Sequence, residues 1–152
     1  MLDKNGFEMR TGDVVRISGA YFKNDNGLYF IDHSPGDPSW CGRDYGLKKI
    51  LRNGNMSKSK YSTGFWPIAV FTNDYTKNAQ AKKHNAENAC IEIVRGLPVA
   101  GREAHFNEEI ETAEYWRERA EYNFGADNDE AKRYRTIADY YRAVIERLHA
   151  EG

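Results

Sequence analysis

Alternating apolar and polar positions near the start of the chain predict a β-hairpin. Residues 14–18 read Val-Val-Arg-Ile-Ser, and a second apolar run covers residues 28–31. An Asn-Gly pair at positions 26–27 separates them, and both residue types tolerate the positive φ that a chain reversal requires. Residues 47–52 predict a second hairpin, because the turn pair Asn-Gly follows at positions 53–54. The first hundred residues are therefore expected to form antiparallel strands.

Further patterns extend this β-rich part. The apolar run at residues 65–71 is typical of a buried strand, and residues 91–94 predict a last strand that closes the sheet. Between these runs, Thr72 or Asn73 can cap a helix, because a short side-chain oxygen accepts the free N–H groups of a first helical turn. We expect this side helix to cover about residues 73–89.

The last third of the chain has the clearest periodicity, and it is helical. Apolar residues recur every three or four positions over about 106–124, and Gly125 interrupts the pattern. Asp127 or Asn128 restarts it over about 127–150. Two antiparallel helices are therefore expected. The stripe on the first helix consists of Phe106, Ile110, Ala113, Trp116, Ala120 and Phe124.

The second helix carries more apolar residues than a single seam needs. Either the stripes of both helices cover each other and the sheet, or a surplus apolar line remains for self-association or for docking a partner. The predicted interface residues are Tyr134, Ile137, Tyr141, Val144, Ile145 and Leu148.

The length and the charge pattern suggest one domain with an extension. A chain of 152 residues supports one core of ordinary size, so we predict a β-rich domain at 1–101 and a helical hairpin at 102–152. The net charge is −1, but residues 1–102 carry +5 and residues 103–152 carry −6. Such asymmetry fits an anion-binding head with an acidic tail, although helical surfaces also favour glutamate. No signal peptide or membrane-spanning run is evident, which predicts a cytoplasmic protein with Cys41 and Cys90 as free thiols.

Aromatic and cationic residues interleave in the middle of the first part. Guanidinium and ammonium groups offset phosphate charge, while flat rings stack on bases, so this pattern predicts a surface for a nucleotide or a nucleic acid. Alternatively, the rings belong to the core and the lysines to a solvated strand face. The candidate ligand-binding residues are Trp40, Arg43, Tyr45, Lys48, Lys49, Arg52 and Trp66.

Catalytic and metal chemistry find little support in the sequence. His33, Asp37 and Cys41 are spaced by four residues, but the prolines and glycine among them forbid a helix, and three ligands make no closed zinc site. Cys41 with His33 as its base would suit a thiol-dependent hydrolase, a minor hypothesis. We therefore expect no catalytic residues, no metal and no cofactor.

Two resemblances extend these predictions. Residues 12–32 resemble the KOW motif of SH3-like barrels, which serves RNA and protein binding in ribosomal and transcription proteins. The runs at 34–45, 65–68 and 73–74 resemble small uncharacterised proteins of phages and conjugative elements of Gram-positive bacteria. The first implies an α+β fold with a small antiparallel SH3-like β-barrel or sheet. The second implies a non-enzymatic inhibitor of host defence that covers a protein or sequesters a nucleotide signal.

Overall fold

A computed structural model of the chain describes residues 3–20, 23–33, 46–57, 66–67 and 90–151. It shows an α+β fold in which an antiparallel sheet packs against two helices. The sheet contains the strands β1 (Val14–Ser18), β2 (Gly27–Asp32), β3 (Gly46–Ile50), β4 (Trp66–Pro67) and β5 (Cys90–Val94) in the order β4-β3-β2-β1-β5.

The first predicted hairpin is confirmed. β1 pairs with β2 in antiparallel register, with Val15 opposite Tyr29. The reversal predicted at positions 26–27 is wrong, because Gly27 already belongs to β2, opposite Ile17, and the connection before it includes a 3-10 turn at Lys23–Asp25. After β3, Gly54 adopts a φ of 83°, and Ile50 bridges back to Met56. The Asn-Gly reversal predicted at positions 53–54 is therefore present.

The described strands form an open sheet with β4 and β5 at its edges, so a closed barrel is not seen in the part of the chain that the structure describes. β5 pairs with β1, as expected for the last strand. The predicted side helix at 73–89 lies outside the described residues, as does most of the strand predicted at 65–71.

The N-terminal segment covers the outer edge of β5. The Asp3 carboxylate accepts hydrogen bonds from the backbone N–H groups of Ile93, Phe7 and Asn5, all at 2.9 Å. The Lys4 N–H donates to the carbonyl of Ile91 at 2.9 Å. Burial tends to raise the pKa of Asp3, but the three backbone hydrogen bonds outweigh it and lower that pKa below 3.8.

Strand alternation divides the core into two apolar clusters, because successive side chains point to opposite faces of a sheet. One face carries Met9, Val15, Ile17, Tyr29, Ile31, Leu47 and Ile91. The other face contributes Val14, Phe30 and Ile50, which pack against Phe106, Tyr141, Val144 and Leu148 of the helices. The helices therefore share a core with the sheet.

The two helices are α1 (Ala100–Phe124) and α2 (Asp129–Glu151). α1 begins about six residues before its predicted start, so the domain boundary predicted after residue 101 lies inside its first turn. Its N-cap residue, Val99, makes no side-chain capping bond. The buried Arg102 instead donates to the carbonyls of Gly12 at 2.6 Å and Leu97 at 3.1 Å. The contact with Gly12 thus ties the first turn of α1 to a distant part of the chain.

The turn between the helices follows its prediction. Gly125 has a φ of 91° at the C-terminus of α1, a conformation that favours glycine. Asn128 caps α2, because its Oδ1 accepts the N–H of Ala131 at 2.9 Å. Among the described residues, neither helix combines the length and the apolar character needed to cross a membrane.

The hairpin has a near half (residues 100–112 and 137–151) and a far half (residues 113–124 and 129–136). The near half packs on the sheet, where the Phe106 ring stacks on Tyr141 with centroids 5.4 Å apart and meets the edge of Phe30 at 5.8 Å. No described residue of the far half belongs to the cluster shared with the sheet. The far half therefore depends on contacts between the helices.

Small side chains and ion pairs hold the two helices of the far half together. Within the far half, Glu121 pairs with Arg135 at 2.7 Å, and Arg117 contacts both Glu121 and Glu114. Glu114 also pairs with Arg142 of the near half at 2.9 Å. Small residues allow the helix backbones to approach closely. The buried alanines of the hairpin are Ala113, Ala120, Ala131 and Ala138.

The predicted stripe on α1 is wrong at two positions. Phe106, Ala113 and Ala120 are buried at seven-residue intervals, whereas Trp116 and Phe124 are exposed. A step of three residues falls about 60° short of a full helical turn, which rotates Trp116 away from the seam of alanines. Phe124 is the last residue of α1, at the tip of the hairpin.

Candidate binding surfaces

The predicted ligand surface is only partly described. Lys48 and Lys49 are neighbours on β3 and therefore point to opposite faces of the sheet. Lys48 lies opposite Phe30, on the helix-covered face, and Lys49 lies opposite Tyr29, on the other face. The structure therefore does not bring these two cations onto one surface.

Besides Lys48, the structure describes Lys49, Arg52 and the backbone of Trp66 among the predicted ligand-binding residues. The Lys49 ammonium donates to the carbonyl of Asn24 at 2.6 Å and lies 5.8 Å from the centre of the Tyr29 ring. Arg52 is exposed just beyond β3, and the backbone of Trp66 belongs to β4. Trp40, Arg43 and Tyr45 lie outside the described residues. Ligand binding by this surface stays a prediction.

The predicted interface residues of α2 are largely used within the chain. Tyr141, Val144 and Leu148 are buried in the cluster shared with the sheet, and Ile137 and Ile145 pack against it. The apolar line that looked surplus in the sequence thus covers the sheet.

Tyr134 is the sixth of these predicted residues, and it lies in the far half. Its side chain is half-buried, with the Arg133 guanidinium 4.7 Å from the centre of its ring. An intermolecular contact through α2 would therefore have to use side chains that the core leaves accessible.

A buried polar cluster joins the near half to the end of β2, and sequence reasoning missed it. The Asp32 carboxylate accepts a hydrogen bond from Tyr141 Oη at 2.9 Å and lies 3.3 Å from His105 Nε2. Asp32 is separated from these partners by 73 and 109 residues, so no local pattern could reveal the cluster. Its hydrogen bonds fix the near half on the sheet.

An open cleft of about 370 Å³ lies beside this cluster, between the N-terminal segment and α2. On its wall, Tyr140 Oη donates to Thr11 Oγ1 at 2.7 Å and lies 3.1 Å from the carbonyl oxygen of His33. Burial raises the pKa of Tyr140, its hydrogen bond with Thr11 opposes this effect, and Asp32 adds to it. The phenol is thus held as a neutral hydrogen-bond donor.

The charges around the cleft largely offset one another. Arg10 and Arg147 both line it, as does Glu8. The buried carboxylate of Asp13 lies 3.5 Å from Arg10 and 3.8 Å from Arg147, and Arg10 also pairs with Glu151 at 3.0 Å. The cleft therefore favours neither an anion nor a cation.

Large aromatic side chains are exposed on α1 in the far half. Tyr115 is 52% exposed, Trp116 46%, Tyr122 91% and Phe124 73%. The Tyr115 and Trp116 rings meet edge to face with centroids 5.2 Å apart. The Arg119 guanidinium lies 5.5 Å from the centre of the Tyr115 ring and donates to its hydroxyl at 3.0 Å. Tyr122 and Phe124 are thus mostly accessible to solvent, and Tyr115 and Trp116 are about half accessible.

Helix geometry places several of these residues in one row. Side chains three, four or seven positions apart lie on the same side of a helix. The outer face of α1 is the name used below for this row together with Trp116, whose ring contacts that of Tyr115. The row consists of Glu108, Glu111, Tyr115, Glu118, Arg119 and Tyr122, and all seven residues are exposed.

The described residues include no group of three or more His, Cys, Asp or Glu side chains that could hold a metal ion. Cys90 is a free, half-buried thiol 3.2 Å from Ser18 Oγ, and Cys41 lies outside the described residues. No protein-family model, curated protein or solved structure matches the chain. Functional inference therefore depends on the geometry of this molecule.

Proposed function

We propose that the chain is a non-catalytic binding protein that contacts a partner protein through the outer face of α1. The observation that carries the proposal is that Tyr122 is almost fully exposed and that about half of each of the neighbouring Tyr115 and Trp116 side chains is accessible on the same helix. Exposed aromatic side chains in contact with one another are typical of interaction surfaces. Tyrosine, tryptophan and arginine are also the residues that contribute most to binding energy at protein interfaces.

The far half also presents this surface in a fixed arrangement. The network of Glu114, Arg117, Glu121, Arg135 and Arg142 links the two helices. Arg119 further restrains the Tyr115 ring. A surface that is ordered before binding loses less entropy when the complex forms.

Site-specific photo-cross-linking tests this function. A photoreactive residue at position 122 of the full chain, produced in Gram-positive bacterial cells, should yield a discrete cross-linked protein. That product should disappear in the double variant Tyr115→Ala/Trp116→Ala. A photoreactive residue at Glu146, an exposed position of α2, serves as the matched control. The proposal fails if both positions give the same products, or if the product persists in the double variant.

A second candidate function is binding of a nucleotide or nucleic acid through the surface around residues 40–52, as part of a phage anti-defence role. Its support is the interleaving of aromatic and cationic residues in the sequence, together with the exposed Arg52. Arg43→Ala and Arg52→Ala should each weaken binding to labelled oligonucleotides or cyclic nucleotides, and binding should fall steeply as salt rises. Unchanged binding in both variants would rule this function out.

Self-association through the hairpin is the remaining alternative. Sedimentation velocity at several protein concentrations tests it directly. A dimer that dissociates on Trp116→Ala would identify a second copy as the occupant of the outer face.

A further inference from the structure

The outer face of α1 is acidic as well as aromatic. Glu111 precedes Tyr115 by four residues and Glu118 precedes Tyr122 by four, so carboxylates and rings alternate along the helix. Neither Glu108 nor Glu111 forms an ion pair with any residue that the structure describes. Glu118 lies 3.8 Å from Arg117, whose shorter contacts are to Glu114 and Glu121. These carboxylates remain accessible to a partner.

The cations on this side of the helix do not neutralise the face. The outer face holds three carboxylates, those of Glu108, Glu111 and Glu118, against the one guanidinium of Arg119, which contacts the Tyr115 ring and hydroxyl. The surrounding sequence adds to the imbalance, because residues 103–152 carry a net charge of −6. A partner with positive charges would therefore be electrostatically complementary to the outer face.

A second copy of the chain suits this surface poorly. A two-fold symmetric contact brings the same patch of both molecules together. The row of Glu108, Glu111 and Glu118 would then approach its own copy, and opposed like charges weaken such a contact. A different molecule with the opposite charge avoids that repulsion.

We propose that the partner is a basic protein segment, with Lys or Arg residues flanking an apolar or aromatic anchor that contacts Tyr115 and Trp116. This inference rests on the proposed function and specifies its partner. Glu111 and Glu118 are seven residues apart, about 10 Å along the helix, which sets the spacing of the cations that they would meet. Exposed ion pairs add little affinity individually. The rings therefore supply most of the affinity, and the carboxylates supply selectivity and fast association.

The experiment uses the purified full chain and a displayed library of random 15-residue peptides. Only peptides that bind the original chain and fail to bind its double variant Tyr115→Ala/Trp116→Ala are retained. The charge variant is Glu111→Gln/Glu118→Gln. Its matched control is Asp127→Asn/Glu146→Gln, which changes the net charge equally at exposed positions away from the outer face. Circular dichroism establishes that all variants are folded.

We expect the retained peptides to be net positive, with at least two Lys or Arg residues. Their affinity should fall about fivefold or more in the charge variant, mainly through slower association, and less than twofold in the control. Raising the salt concentration from 0.05 to 0.3 M should weaken binding to the original chain more than binding to the charge variant.

The outcomes separate this inference from the proposed function. If no peptide depends on Tyr115 and Trp116, the proposed function fails and the inference fails with it. If dependent peptides are neutral or acidic, or insensitive to both salt and the charge variant, only the basic partner is overturned. If the chain dimerises through the same rings in sedimentation, the occupant is a second copy and the basic partner is again wrong.

Discussion

The near and far halves of the helical hairpin are stabilised in different ways. In the near half, large side chains such as Phe106 and Tyr141 fill the space between the helices and the sheet. In the far half, alanines and the ion pair between Glu121 and Arg135 join the helices. Small side chains close the gap between backbones without help from large ones, so the aromatic residues of the far half are free to face outward. The burial of an aromatic residue in an apolar pattern therefore cannot be inferred until the residues that pack between the two helices have been located.

The largest expected effect is a cavity in the near half. Phe106→Ala removes a fully buried ring from between Phe30 and Tyr141 and should lower the free energy of unfolding by about 3–5 kcal/mol. Urea denaturation measures this loss. Phe124→Ala removes the same ring from an exposed position of the far half and should cost less than about 0.5 kcal/mol. Equal losses in the two variants would refute the division of the hairpin.

In the far half, added volume should be harmful. Ala131 is fully buried between the helices, and Ala131→Leu should lower the free energy of unfolding by about 1–3 kcal/mol by forcing them apart. The control is Ala150→Leu at an exposed helical position, where we expect little change. A neutral Ala131→Leu variant, measured by thermal and urea denaturation, would show that the seam is loosely packed.

Acid should loosen the far half before the near half. Hydrogen bonds from Arg142 and then Arg117 lower the pKa of Glu114 below its usual 4.5, and those from Arg135 and Arg117 do the same for Glu121. A lowered pKa means that the folded state favours the carboxylate. This stabilisation is complete above pH 4.5 and is lost as the pH falls through the lowered value.

Hydrogen exchange by mass spectrometry, corrected for the intrinsic pH dependence of the rate, checks this order. Protection at residues 113–124 and 129–136 should decrease first below pH 4.5. The variant Glu114→Gln/Glu121→Gln should lack most of that response. A simultaneous loss of protection in both halves would contradict the expected order.

The smallest expected effect on stability concerns the outer face of α1. Tyr122→Ala should change the free energy of unfolding by less than about 0.5 kcal/mol, because its side chain is 91% exposed, and Trp116→Ala, whose side chain is only 46% exposed, should cost no more than about 1 kcal/mol. Urea denaturation of each variant provides the measurement. A loss above 1 kcal/mol would mean that these rings support the fold, which would weaken the case that they serve a partner.

The sequence predicted elements whose signals are local. The alternation at residues 14–18 specified an antiparallel strand, the Asn-Gly pair at positions 53–54 specified a reversal, and Gly125 specified the end of α1. The start of α1 was predicted too late, because the apolar periodicity on which the prediction depends begins only at Phe106. The hydrogen bond of Arg102 with Gly12 joins residues 90 positions apart, which the local pattern does not show.

Candidate sites were harder to predict than elements. Interleaved charges at residues 48–49 suggested one cationic surface, but the alternation of β3 sends the two lysines to opposite faces. The sequence did not reveal the outer face of α1, because Trp116 has the same three- or four-residue spacing that a buried residue of the stripe would have. The seven-residue spacing of Ala113 and Ala120 was the available signal, since it fixes the side of the helix that faces α2.

The hydrogen bonds of Asp3 and Lys4 bear on aggregation. An uncovered strand at the border of a sheet offers its N–H and C=O groups to any extended peptide, and neighbouring molecules can then join into a continuous sheet. Here the Asp3 carboxylate accepts the N–H of Ile93, and the Lys4 N–H donates to the carbonyl of Ile91. Neither backbone group is therefore available to such a peptide. Loss of these first residues would therefore threaten solubility before it threatened the helices.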